Sequence, residues 1–214
     1  MDADPKGGVL RFAGERTVLL DTAALGLLRR ELVDTLSLGA ARAVLYRFGW
    51  AHGFRTAQAM KGAFDWDGPE EWAKAGGRLH RLKGLVTFRP VPRDPGTAPR
   101  HFSQGIWEDS FEAEQHLLHF GLSEEPVCWT LTGFAGGYLT AAHGRRIRVV
   151  EESCVGKGDA VCRMAGEPEE DWDEPTRRTF VSLDARCLEG ELARVREALR
   201  STEARLRARR SELT

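Results

Sequence analysis

Glu151-Glu152-Ser153-Cys154-Val155-Gly156-Lys157-Gly158-Asp159-Ala160-Val161-Cys162 is the stretch whose reading decides the fold. Ile147, Val149 and Glu151 share one face of a period-two pattern, so a strand enters the stretch. Gly156-Lys157-Gly158-Asp159 supplies a turn, and Ala160 to Met164 returns as the antiparallel partner. Such a hairpin carries the sulfurs of Cys154 and Cys162 toward one point, where a helix bearing Cys128 can dock a third sulfur and a carboxylate ahead of Cys154 can complete a tetrahedron. The same spacing also suits two ordinary buried cysteines. If an ion is held, three thiolates and one carboxylate around Zn²⁺ leave a formal charge of about −2 and no position for water, which makes the site structural and not catalytic. The glycines lack Walker spacing and a following Ser or Thr, so the turn is no phosphate loop. Cys187 lies apart and reads as an incidental thiol.

Upstream, two short runs, Val9 to Phe12 and Thr17 to Leu20, flank Gly14 and predict a hairpin, with Asp21 capping the helix that follows. Leu25, Leu28, Leu32 and Leu36 recur at helical spacing, as do Val44, Phe48 and His52 in a second helix running to about Lys61. Gly49 and Gly53, four apart on that helix, predict close approach of another backbone. Pro69 with Glu70-Glu71 opens a helix containing Trp72 and His80. Strands over Leu85 to Val91 and His101 to Trp107 flank a Pro- and Gly-rich loop, Pro92 to Arg100, and pair antiparallel. Phe111 to Phe120 reads as helix, and Ser123-Glu124-Glu125-Pro126 reads as entry to another helix, through Cys128, Leu131 and Tyr138 to Ala142. From Leu188 onward, Leu188, Leu192, Val195, Leu199, Thr202, Leu206 and Leu213 approximate a heptad seam, that of a linker helix or a dimeric coil.

The composition excludes several classes. With 214 residues, 42% hydrophobic and 29% charged, the chain is an ordinary folding sequence. A formal net charge of −1 offers no field for nucleic acid, so no direct DNA contact is expected. Apolar runs break before about 18 residues and the start lacks a signal-peptide pattern, so a cytoplasmic protein with no membrane partner is expected. Four cysteines in a reducing compartment favour metal ligation over disulfides. Gly-x-Ser-x-Gly, His-Glu-x-x-His and dinucleotide glycine motifs are absent from the sequence.

Four blocks carry a family resemblance: Leu79-His80-Arg81-Leu82-Lys83-Gly84, Trp107-Glu108-Asp109-Ser110-Phe111-Glu112, Gly133 to Tyr138, and Glu151-x-x-Cys154-x7-Cys162. Over nearly its whole length the chain resembles the aromatic-effector sensor domains of sigma-54-dependent transcriptional activators of the XylR, DmpR and MopR type, the last block belonging to their vinyl-reductase-type region. The resemblance implies structural Zn²⁺ on Cys128, Glu151, Cys154 and Cys162, selecting Glu151 over Glu152. It implies that His80 and Trp107 hold a phenolic hydroxyl and that Tyr138 forms an aromatic wall, with Trp72, Gly105, Ile106 and Val149 around them. Gly105 and Val149 stand where phenol sensors carry aromatic residues, which predicts a larger, drier pocket for benzene, toluene or xylene, or for a bulkier ring, while the retained His80 keeps phenols as the alternative effector.

The expected fold is α+β: an N-terminal hairpin and helices, antiparallel strands packed with helices around an apolar pocket, a zinc-bearing β-hairpin and a C-terminal linker helix. Residues 1–115 would form the sensor and dimerisation region, 116–181 the zinc-binding region that completes the pocket, and 182–214 the linker toward an AAA+ ATPase and a DNA-binding domain. A homodimer and a small aromatic effector are the implied partners. A zinc-stapled scaffold of the vesicle-tethering type and a small-molecule enzyme of the vinyl-reductase type are the rival readings.

Overall fold

The computed structural model describes residues 2–3, 7–91, 102–184, 200–202, 205 and 209. Its elements are β1 (Asp2–Ala3), β2 (Leu10–Phe12), β3 (Glu15–Thr17), α1 (Thr22–Thr35), α2 (Leu38–Ala63), α3 (Pro69–Leu82), β4 (Thr87–Pro90), β5 (Ser103–Glu108), α4 (Phe111–Phe120), α5 (Trp129–His143), β6 (Ile147–Ser153), β7 (Cys162–Pro168) and α6 (Glu174–Asp184). β1-β2-β3 form one small antiparallel sheet; β4-β5-β7-β6 form a second, also antiparallel throughout. The α+β architecture is therefore as expected.

The α2–α5 pair is the spine, and glycine builds it. An added Cβ on Gly49 would lie 2.2 Å from the Thr130 carbonyl oxygen, and one on Gly53 would lie 2.1 Å from that of Phe134. From the other side, Gly133 faces the Tyr46 oxygen at 2.1 Å and Gly137 that of Trp50 at 2.0 Å. The contacts advance together along both helices, which therefore run in the same direction with backbones touching. Close packing at Gly49 and Gly53 is thus as predicted, but the buried faces differ from the leucine stripes. Leu28 and Phe48 are exposed, and the helices bury Gly26 and Arg29 on α1 and Ala40, Ala43, Tyr46 and Ala57 on α2. Where backbones approach this closely, only small side chains fit the contact line, so the bulky ones are displaced to its flanks.

Asp21 caps α1 by accepting from the Ala24 N–H at 2.7 Å, and Ser110 caps α4 in the same way from Ala113. Three boundaries depart from expectation. The second strand of the first hairpin is Glu15–Thr17, leaving Val18 to Leu20 exposed outside it. The predicted strand from Leu85 shrinks to Thr87–Pro90. The predicted start of α5 ahead of Cys128 shifts to Trp129: Cys128 is the N-cap but makes no side-chain capping bond, and Glu112 of α4 caps in its place by accepting the Thr130 and Leu131 N–H groups at 2.9 and 2.8 Å. The seam from Leu188 to Leu213, apart from Thr202, and the loop Pro92 to Arg100 lie outside the described residues, as does Cys187.

Candidate functional site: a four-ligand cluster beside an apolar chamber

The hairpin ahead of β7 differs in detail from the predicted two-strand turn. β6 ends at Ser153, residues 155–157 form a single 3-10 turn, Gly158 closes it at φ 95°, and β7 starts only at Cys162. Asp159 accepts the Cys154 N–H at 2.8 Å and locks the turn. A Cβ at Gly156 would meet Val127 at 2.4 Å, so the turn lies flat against the segment that leads into α5.

This folding brings Cys128, Glu151, Cys154 and Cys162 together, with one ligand atom from each lying within 4.8 Å of the others and all four side chains buried. The Cys128–Cys162 and Cys162–Cys154 sulfur pairs are both 3.9 Å apart. Four ligands on a tetrahedron with metal–sulfur bonds near 2.3 Å would place sulfurs about 3.8 Å apart, so the cage already has the dimensions of a zinc site. Its surroundings are built for thiolates: the Val155 N–H points at Cys162 Sγ (3.3 Å), the Val127 N–H at Cys154 Sγ (3.5 Å), and the Ser110 hydroxyl lies 3.1 Å from Cys128 Sγ. Glu151 Oε2 accepts the Cys128 N–H at 3.0 Å, while its buried Oε1 has no partner. Without a cation, burial and the neighbouring Cys154 push the Glu151 carboxyl up to about 8, and burial drives the Cys128 thiol up as well. Hydrogen bonds from Cys128 and Cys162 hold Cys154 down as the thiolate of the group. A divalent ion held by these four groups would offset half of their combined charge and so favour their deprotonated forms.

Beside the cluster lies a half-open chamber of about 550 Å³, walled by α3 (Ala73, Gly76, Gly77, His80), β4 (Phe88), β5 (Trp107), α5 (Phe134, Ala135, Tyr138, Leu139) and Met164 of β7, with the polar Glu70, Lys74, Ser103, Gln104 and His143 also on its lining. Cluster and chamber share a wall, because Trp107 on β5 pairs directly with Cys162 on β7. His80 is 3% exposed, its Nδ1 has no hydrogen-bond partner, and its ring lies 4.8 Å from Phe134 and 6.4 Å from Trp107. Burial, reinforced by the charge of Lys83 and by His52, pushes the His80 imidazole down to about 3, so it is neutral, with one nitrogen donating and the other accepting. Tyr138 offers the chamber only its ring, since its hydroxyl donates to the Trp72 carbonyl at 2.9 Å.

Of the residues singled out in the sequence, His80, Trp107 and Tyr138 line the chamber, while Trp72, Gly105, Ile106 and Val149 are not on its lining. The Trp72 indole N–H is spent on the Ala57 carbonyl at 3.1 Å, and Val149 packs in the core with Trp107 and Met164. The opening expected at Gly105 is not there, because the Phe88 ring fills it: a Cβ on Gly105 would lie 2.0 Å from Phe88 Cε2. Phe88 and the Gly76-Gly77 pair were missed in the sequence. Their available signal was a ring on the inner face of a strand and two glycines one turn before His80.

An α+β domain with a four-residue cluster that could hold a metal ion, and a chamber on the same strand pair, is the class that fold and site define. Residues 1–94 match the family described as activator of aromatic catabolism, and residues 107–168 match the vinyl-reductase-type domain. The phenol regulator MopR of Acinetobacter guillouiae is 34% identical over 85% of this chain, and the transcriptional regulatory protein XylR of Pseudomonas putida is 33% identical over 78%. The chain spans about a third of the length of these relatives (33% and 30%). A solved structure, the phenol-responsive sensory domain of the transcription activator PoxR with phenol, superposes with a TM-score of 0.75 at 36% identity, over 86% of this chain and 91% of that one. The chain belongs to the family of aromatic-sensing domains of sigma-54-dependent transcription activators. No helix among the described residues is long and apolar enough to cross a membrane.

Proposed function

We propose that this chain is a non-enzymatic sensory domain in which an aromatic effector enters the chamber and its hydroxyl bonds to His80. The observation that carries the reading is the unpartnered, buried Nδ1 of a neutral His80 on the chamber wall, among the rings of Phe134, Trp107 and Tyr138. A hydrocarbon ring leaves that nitrogen orphaned, at a cost of about 1–3 kcal/mol, whereas a phenolic hydroxyl satisfies it. Trp107 and Tyr138 give ring faces to the effector, while Trp72, Gly105, Ile106 and Val149 lie off the lining. Cys128, Glu151, Cys154 and Cys162 hold a structural Zn²⁺ that ties the start of α5 to β6 and β7. Its closed ligand set leaves no position for water or substrate. By resemblance to its longer relatives, the domain acts as a homodimer on an AAA+ ATPase and a DNA-binding domain.

Calorimetric titration with phenol, benzene, toluene and xylene tests this reading. Phenol is expected to bind about 5- to 100-fold more tightly than benzene, and His80→Ala to abolish the difference. Absence of heat with every ring would refute the sensor reading. Metal analysis is expected to give about one zinc per chain, lost in Cys154→Ser with a fall in thermal stability; metal-free protein of unchanged stability would refute the ligand assignment.

A further inference from the structure

Phe88 occupies an unusual seat. A Cβ on Gly77 of α3 would lie 2.5 Å from Phe88 Cδ1, and a Cβ on Gly105 of β5 would lie 2.0 Å from Phe88 Cε2. These atoms are opposite corners of the ring, so the ring is drawn into a slot between two glycines, one on a helix and one on a strand. Neither side of the slot can yield easily. Gly77 lies inside α3, and Gly105 is paired on both edges, with Pro90 of β4 and Met164 of β7. The ring nevertheless still lines the chamber. A side chain larger than hydrogen at either glycine overlaps the ring, and the chamber that the ring lines is the open space into which it can move.

The chamber is large for a single ring. An apolar cavity of roughly 150 Å³ is enough to hold benzene, and this one measures about 550 Å³ with Phe88 withdrawn. We propose that the effector class is aromatic molecules larger than one ring, such as hydroxylated bicyclic or biaryl compounds, and that Phe88 in its glycine slot sets the upper size limit. This rests on the sensor reading above, and it adds a specificity-determining residue outside the His80 and Trp107 end of the chamber. The glycines act through Phe88: they are positioning residues that keep the ring back.

The experiment is titration of the domain with phenol, 1-naphthol and 2-hydroxybiphenyl, in the wild type, Gly105→Ala, Gly77→Ala and the double variant Gly105→Ala/Phe88→Leu. In the wild type, the two larger ligands are expected to bind at least about 10-fold more tightly than phenol. Either alanine is expected to reverse that order, the two larger ligands losing more affinity than phenol, and the double variant to restore it. Gly77→Ala favours its helix, so it serves if Gly105→Ala does not fold. Wild-type binding of phenol but neither larger ligand would overturn the size class, and equal losses for all three ligands in the alanine variants would overturn the role of Phe88. Failure of every ligand with the wild type would sink the sensor reading itself. A crystal structure of Gly105→Ala or Gly77→Ala decides the slot without any ligand: the Phe88 ring is expected to stand in the chamber, and an unmoved ring would overturn the proposal.

Discussion

Gly133→Ala is the substitution whose effect can be worked furthest from the structure. The new Cβ would lie 2.1 Å from the Tyr46 carbonyl oxygen, 2.9 Å from the Trp50 nitrogen and 3.0 Å from the Tyr46 carbonyl carbon, where ordinary contact begins at 3.4 Å. All three atoms are backbone of α2, so no rotamer change relieves the overlap, and the helices must part by more than ~1 Å. A gap of that size forfeits about a quarter to a half of each dispersion contact along the seam. Overpacking typically costs about 1–3 kcal/mol, and an immovable backbone places this case at the upper end, offset by about 1 kcal/mol of helix propensity. The net expectation is a loss of about 2 kcal/mol, or about 4–8 °C in Tm for a chain of this size. Gly62→Ala is the control, on the same α2 but with nothing within 4 Å of the added Cβ. It is expected to stabilise by about 0.4–1 kcal/mol. Urea denaturation followed by circular dichroism reads both midpoints. If both variants shift the midpoint in the same direction, or Gly133→Ala matches the wild type, the backbone-contact account of the α2–α5 seam is refuted.

Arg29→Ala is expected to cost about 3–5 kcal/mol, because it strands the Glu112 carboxylate, whose side chain is 2% exposed and whose partner is 4% exposed; a loss under about 1 kcal/mol in the same assay would show that the pair is not buried in solution. Stability is also expected to fall with acidification. The folded state holds His80 down at about 3, against 6.5 in the unfolded chain, so its contribution is complete above about pH 6.5 and declines as pH drops toward 3, at a limiting slope of about 1.4 kcal/mol per pH unit. His52 and His116, both lowered by burial, act in the same direction. A urea midpoint that stays flat from pH 7 to pH 4 would contradict this.

The elements with local signals were the legible ones. Phe111–Phe120 was readable because Ser110 caps it and charged and apolar residues alternate at helical period, and Pro69 marked α3 for the same local reason. Spacing alone grouped Cys128 with the two hairpin cysteines and a carboxylate, and the family pattern was needed to choose Glu151 over Glu152. What sequence hid depends on partners far away in the chain. Leucine stripes dominate a periodicity reading, yet glycine and alanine make the close helix contact, and Leu28 at 54% exposure and Phe48 at 58% lie outside it although they belong to those stripes. Nothing local predicts that Glu112 caps a helix belonging to residues 18 and 19 positions later. Gly105 was read as an opening because its filler, Phe88, comes from the neighbouring strand. α6 went unpredicted because Glu174, Arg177 and Arg178 mask its two buried residues, Phe180 and Leu183.

β6 is where these separate features become one mechanical unit. Its alternation places Val149 in the core that backs the chamber, and Val150 against the cluster of Tyr46, Phe180 and Leu183. Between them Arg148, 1% exposed, pairs with Asp184 at the last residue of α6 and with Glu169 at 2.6 Å, and donates to the Tyr46 hydroxyl at 3.1 Å. Arg146 adds a second contact to Asp184 at 2.5 Å, and Arg47 of α2 donates to the Leu183 carbonyl at 2.8 Å. Separating α6 from β6 would remove Asp184 from the buried Arg148 charge and leave Glu169 as its acidic partner, a net loss for the pair network. Small displacements of β6 therefore carry the end of α6 with them. The same strand supplies Glu151 to the ligand cage, so whatever holds the cage rigid also limits how far β6 can travel. An occupant of the chamber can shift this unit only by the difference in its affinity for the two positions, and the wall it must push is the one formed by Trp107 and Met164, the neighbours of Val149.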